Sequence, residues 1–184
     1  MGFRGFTTVS IQAVVLALPH RAWSRILLIA ALVTTLTLLH FPAFGVEDAL
    51  PLPRFVSLRS DTVNVRSGPG VRYPIEWVFT KRFMPVEVLE EFEVWRKIRD
   101  WQGTEGWVHQ TMLSGKRSAI VTGEVRDLRH ESDGHASVVA RIEPGVVGQL
   151  LDCHGAWCRV EFDGQKGYLP KAEFWGAYPN ETIN

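Results

Sequence analysis

The sequence predicts an all-β fold: two small barrels in tandem, preceded by an N-terminal hydrophobic helix. Three observations carry that prediction. Beyond residue 56 the chain is a series of short runs rich in Val, Ile, Leu, Phe and Trp, broken by Gly, Pro, Asn and Asp, the pattern of short strands and tight turns. Residues 57–115 and 119–176 follow one plan twice. The first 45 residues differ in kind, with an uncharged apolar run from Ile26 to Leu39 behind Arg21 and Arg25.

That run, taken as a helix, reaches roughly 21 Å at about 1.5 Å per residue, short of a ~30 Å hydrocarbon core. A charged start, a short apolar stretch and a small-residue exit at Ala43-Phe44-Gly45 read as a signal for export. Residues 1–45 are therefore expected to be a cleaved signal peptide or a retained membrane anchor. Either places the rest outside the cytosol, in the periplasm or cell envelope, with membrane contact only if the segment is uncleaved. Residues 46–56, with Pro51 and Pro53 alternating with Leu, read as an extended linker.

In the first copy the expected strands are Asp61–Arg66, Ile75–Thr80, Pro85–Glu90, Trp95–Asp100 and Gly106–His109, with a helical turn at Thr111–Leu113. Val63 and Val65 share one face of the first strand, which runs into Gly68-Pro69-Gly70. Pro69 fixes its own φ and both glycines tolerate positive φ, so the strand must stop there. In the second copy the strands are Gly123–Arg129, Val138–Ile142, Val146–Cys153, Trp157–Phe162 and Gly167–Pro170, with Asp163-Gly164 as a hairpin turn. The copies align at three separated points: Asn64-Val65-Arg66 with Asp127-Leu128-Arg129, Trp95–Ile98 with Trp157–Val160, and Gly106-Trp107-Val108 with Gly167-Tyr168-Leu169. Each copy alone has a marginal core, so a compact tandem joined by Ser114–Ser118 is expected, followed by a tail at 177–184.

Cys153 and Cys158 fall on the two strands of one expected hairpin, where Cβ atoms approach to bonding distance. An even count in an exported chain fits one disulfide. Four intervening residues across a β-turn do not suit a redox-active dithiol, which wants two and a helix N-terminus. With His154 the cysteines make three metal ligands at most, and a structural zinc site needs four. No cofactor or metal is expected. There is no G-x-S-x-G elbow, and the cysteines are engaged with each other, so no catalytic residue is expected either. Three of the 20 basic residues and none of the 20 acids lie in residues 1–45, which leaves the remainder net acidic by three. That disfavours a nucleic-acid partner, which needs a basic surface.

Asn64-Val65-Arg66-Ser67-Gly68-Pro69-Gly70, then Tyr73-Pro74, Pro85–Glu90, Trp95–Ile98 and Gly106-Trp107-Val108, in that order, resemble the bacterial type of Src-homology-3 (SH3) domain. The resemblance covers about residues 57–115 and implies an SH3-like barrel used for binding. In that plan the loop after the first strand, here Ser67–Tyr73, borders a ligand groove. Tyr73 and Trp101 are then candidate walls, with Ser67 on the loop and Arg66 or Arg72 offering a charge to a carboxylate. Plainer roles stand beside these: Arg66 as a brace on loop carbonyls, Tyr73 packed on Pro74, Trp95 and Trp157 in the core. The second copy lacks Gly-Pro-Gly and reads Arg129-His130-Glu131-Ser132-Asp133-Gly134, acidic and looser, so binding is expected in the first. The expected function is non-catalytic binding of cell-wall material, peptidoglycan or peptide. The alternative is a protein–protein adaptor docking an extended or Pro-rich segment.

Overall fold

The structure, a computed structural model, describes residues 50–184. The expected signal or anchor at 1–45 lies outside the described residues. Leu50–Asn184 forms one compact unit. Its strands are β1 (Arg54–Leu58), β2 (Val63–Arg66), β3 (Ile75–Phe79), β4 (Pro85–Phe92), β5 (Trp95–Arg99), β6 (Glu105–His109) and β7 (Leu113–Ser114). The second half repeats the series with β8 (Ser118–Val121), β9 (Arg126–Arg129), β10 (Val138–Ile142), β11 (Val147–His154), β12 (Trp157–Phe162), β13 (Gln165–Pro170) and β14 (Phe174–Trp175). Single 3-10 turns, Gln110–Met112 and Lys171–Glu173, stand in equivalent places. Two seven-stranded sheets result, ordered β3-β2-β6-β5-β4-β1-β7 and β10-β9-β13-β12-β11-β8-β14. All-β architecture and duplication are thus as the sequence predicts.

Each sheet curls around its own apolar cluster. Leu58, Val63, Val65, Val86, Val88, Ile98 and Val108 fill the first, and Val121, Leu128, Leu150, Val160, Phe162 and Leu169 the second. Closure of each sheet depends on the glycine of the repeated Gly-Trp-Val and Gly-Tyr-Leu motifs. A Cβ on Gly106 would stand 2.3 Å from Val65 Cγ1, and one on Gly167 2.6 Å from the Arg129 carbonyl oxygen. Only a bare backbone lets β6 lie against β2, and β13 against β9.

The structure departs from the sequence reading at the margins of the repeats. Arg54–Leu58, partly assigned to the linker, is a strand between β4 and β7. Phe55, Val56, Ser57 and Leu58 are all buried, so no polar face marked it. Ser118–Val121 forms a strand that the sequence leaves unmarked for the same reason, being buried at every residue. The stretch 177–184 is more than a tail: the Ile183 backbone exchanges hydrogen bonds with Cys153 (2.8 and 3.2 Å).

That C-terminal stretch also clasps the two repeats together. Phe55 of β1 meets Trp175 edge-on and Tyr178 at a tilt, both at 4.7 Å between ring centroids, with the Arg117 guanidinium 5.6 Å from its ring. Tyr178 donates its hydroxyl to buried Glu87 of β4 at 2.8 Å, while Arg99 donates to the other Glu87 oxygen. Burial, then the bond to Glu87, pushes the Tyr178 pKa well above that of a free phenol, so Tyr178 stays a donor. Lys81 Nζ reaches across to the Gly145 carbonyl at 3.1 Å.

Candidate functional site

Asn64 and Arg66 alternate with buried Val63 and Val65, so their side chains leave the core together. On β6, Trp107 and His109 likewise alternate with buried Gly106 and Val108. Trp95 lies opposite His109 in the β5–β6 register. A groove of about 220 Å³ forms here, lined by Thr62, Asn64, Arg66, Val71, Trp95, His109 and Met112. Its chemistry is mixed: an indole, a thioether, an amide, a hydroxyl, an imidazole and a guanidinium.

Local bonds fix the lining. Trp95 is 9% exposed and meets the His109 ring edge-on, centroids 5.5 Å apart. His109 Nδ1 accepts the Thr111 N–H at 3.3 Å and contacts the Thr111 hydroxyl at 2.7 Å, capping the 3-10 turn. With Nδ1 accepting, the ring proton sits on Nε2. Arg66 Nη1 donates to the carbonyls of Val71 (3.0 Å) and Tyr73 (2.7 Å), bracing the loop over the groove. Neither bond uses Nη2.

Of the residues expected from the sequence, Arg66 lines the groove and also serves as the loop's brace. Ser67 is exposed beside it, and its N–H donates to the Pro74 carbonyl at 3.2 Å. Arg72 is exposed, with its guanidinium 5.7 Å from the Tyr73 ring centre. Tyr73 lies under the loop: a Cβ on Gly68 would fall 2.5 Å from its ring. Gly68 is therefore needed for room, and neither it nor Gly70 has positive φ. Trp101 does not join the groove. It follows Arg99, whose partner is Glu105, at the opposite end of the hairpin from Trp95 and His109. At about 3.3 Å per residue, Arg99 stands roughly 13 Å along the strand from Trp95, and Trp101 lies two residues beyond it. Its loop is pinned by Asp100, which accepts the N–H groups of Gln102 (2.9 Å) and Thr104 (2.8 Å).

Sequence reasoning missed Thr62, Asn64, His109 and Met112. The one available signal was alternation along β2 and β6, which places Asn64 and His109 on the outer face without showing that they converge. Among the described residues no cluster of three or more metal-ligating side chains occurs. Nor is any described helix long and apolar enough to cross a membrane.

In the second repeat, Arg129 makes the equivalent brace, Nη1 to the Ala136 carbonyl at 2.9 Å. His130 N–H bonds the Ser137 carbonyl at 2.9 Å, matching Ser67 and Pro74. An Asp133 turn, accepting the His135 N–H at 3.0 Å, replaces Gly-Pro-Gly. The loop is reshaped and remains braced. Cys153 and Cys158 are register partners on β11 and β12 and form a disulfide with Cα atoms 4.0 Å apart, as expected.

Comparison with known families matches "Bacterial SH3 domain" twice, over residues 59–115 and 124–176. Among curated proteins the chain is 27% identical over 140 residues to the "Putative N-acetylmuramoyl-L-alanine amidase YrvJ" of Bacillus subtilis (strain 168). That match takes in 70% of this chain and 26% of the relative. Among solved structures, NlpC2 of Trichomonas vaginalis aligns over 72% of this chain and 51% of its own, at 11% identity and a TM-score of 0.33. NlpC1 of the same organism aligns over 68% and 46%, at 12% identity and a TM-score of 0.32. The two matched regions take in β2–β7 and β9–β14, all but the first strand of each curled sheet, and together span more than half the chain: this protein belongs to the bacterial SH3 domain family.

Proposed function

We propose that the chain is a non-catalytic, extracytoplasmic binding module that grips cell-wall material through the groove of its first SH3 repeat. The observation that carries this is the convergence of Asn64, Arg66, Trp95 and His109 on one concave face of the first sheet. An indole edge and a thioether suit the apolar parts of a peptide or sugar. The amide, the Nε2–H and the unused arm of Arg66 suit carbonyls and carboxylates. The relative's name refers to an N-acetylmuramoyl–alanine bond, which supports a wall ligand. The chain spans about a quarter of that relative, so no amidase activity is carried over.

The test is co-sedimentation of the full chain with purified, protein-free sacculi. Retention is expected, and Asn64→Ala combined with His109→Ala should weaken it about tenfold, the scale of one or two lost polar contacts. Retention unchanged in that variant, or no retention of the unaltered chain, would remove the reading.

A second reading, a protein adaptor, is favoured by one feature. The edge strand β3 presents Ile75 (46% exposed), Trp77 (45%) and Val78 (42%), as a strand-adding partner would need. Cross-linked partner proteins in the absence of sacculus binding would support it.

A further inference from the structure

The two repeats differ in kind at one edge of their sheets, and the second shows what the fold itself requires there. β3 ends the first sheet and β10 the second, each hydrogen-bonded to a single neighbouring strand. In both, the register slips at the same place, with Ile75 opposite Arg66 and Val138 opposite Arg129. Position then matches position. Trp77 opposes Val65 where Ala140 opposes Leu128, and Val78 opposes Asn64 where Arg141 opposes Asp127.

Residues directly opposite share a face, so Trp77 and Ala140 lie on the core side, beside buried Val65 and Leu128. Ala140 is half-buried and packs against the second core. A methyl group therefore suffices to finish this edge. The first repeat puts an indole there and leaves it 45% exposed, with the Phe79 ring edge-on at 6.3 Å. On the other face, Arg141 gives β10 an exposed charge, 3.4 Å from Asp127. Edge strands carry such charges to keep another strand from adding. β3 has Val78 in that place, exposed like Ile75. Its one charge, Glu76, falls at the bulge and has no register partner on β2. One edge is guarded; the other is open and apolar.

The sequence of β3 fits a copy of itself. A two-fold axis between antiparallel strands sets one residue opposite its own copy. Centred on Trp77, it brings indole against indole, Ile75 against Phe79 and Glu76 against Val78. Like charges then never stand directly opposite, an arrangement that would be destabilising. Pairing β3 with β10 instead would run copies head to tail into an open chain, and would have to pass the Arg141 guard.

We propose that β3 is a dimerisation edge, which pairs antiparallel with β3 of a second copy of this chain about a two-fold axis at Trp77. The inference rests on the edge that favours the adaptor reading and names its occupant; the groove reading is independent of it. Pairing at an edge continues the sheet, and Val78 shares its face with Asn64, so both grooves would open on one side. That arrangement suits a polymer, because the second contact is made at raised effective concentration.

The test compares the full chain with one carrying Trp77→Ala and Val78→Arg, which gives β3 the two residues β10 has. Both side chains are exposed, and residues 1–45 are the same in each, so any difference reports the edge. A five-residue edge is small, so reversible pairing is expected. In sedimentation over a concentration series, the mass of the unaltered chain should rise to twice that of the double variant. The amide signals of Ile75–Phe79 should move with that rise, and the thermal midpoint of the variant should be unchanged. Trp77→Ala alone should weaken pairing at least about tenfold, the scale of a lost central aromatic. Val138→Arg, on exposed β10, should leave it unaltered. Equal masses at every concentration, a ratio that climbs past two, β3 signals that stay still, or loss of pairing in Val138→Arg would each overturn the inference. With equal masses, cross-linked partner proteins would still support the adaptor reading, so the two fail separately.

Discussion

At the scale of single residues, contact distance decides what the chain tolerates. Gly167 has the Arg129 backbone oxygen 2.6 Å from where a Cβ would stand, and backbone cannot swing aside. Gly167→Ala should therefore cost about 1–3 kcal/mol, the range for overpacked sites. Gly115→Ala, with nothing within 4 Å, should change stability by less than about 0.5 kcal/mol. Denaturant midpoints of the two variants check the pair, and equal effects would deny the close approach of β13 to β9. The same scale shows why the groove was only partly legible. Arg66 could be read because a cation stood beside a kinked loop. Trp95 read as core because its position on a strand cannot reveal a ring shared between core and groove. Asn64 and His109 are brought together by sheet order alone, and no local pattern encodes that.

At the scale of elements, legibility followed burial. Strands with one wet face, such as β2 and β6, announce themselves by alternation, and Asp163-Gly164 announces its turn: both residues have positive φ. β1 and β8 are buried throughout and carry no such alternation, while β7 and β14 have two residues each and exist through their partners. The β11–β12 hairpin is the element best suited to a local test. Cys153 and Cys158 are both fully buried in the second core, and their bond closes a short loop. Reduction, or Cys153→Ala with Cys158→Ala, should lower stability by about 2 kcal/mol on loop-closure grounds. Thermal unfolding with and without reductant measures it.

At the scale of the whole molecule, Trp175 and Tyr178 pack on Phe55 and Tyr178 bonds Glu87, so the C-terminal stretch ties the second repeat to the first. Glu181 receives two Arg117 bonds (2.5 and 2.9 Å) and the Tyr178 N–H (3.1 Å). Burial pushes its pKa upward, but those bonds and the charges of Arg117 and Lys171 outweigh it and hold the carboxyl below its ordinary 4.5. A lowered folded pKa contributes stability that is complete above the unfolded value and disappears as pH falls through the folded one. Thermal midpoints should thus fall as pH drops below about 4.5, with Glu181→Gln less stable at neutral pH and flatter over that acidic window. A parallel slope in the variant would place the acid sensitivity elsewhere. The most direct check is an amide-shift map of the chain with solubilised sacculus fragments. The account predicts shifts centred on Thr62–Arg66, Val71, Trp95 and His109–Met112; a map that leaves those residues unmoved, with the fragments bound elsewhere or not at all, would contradict it.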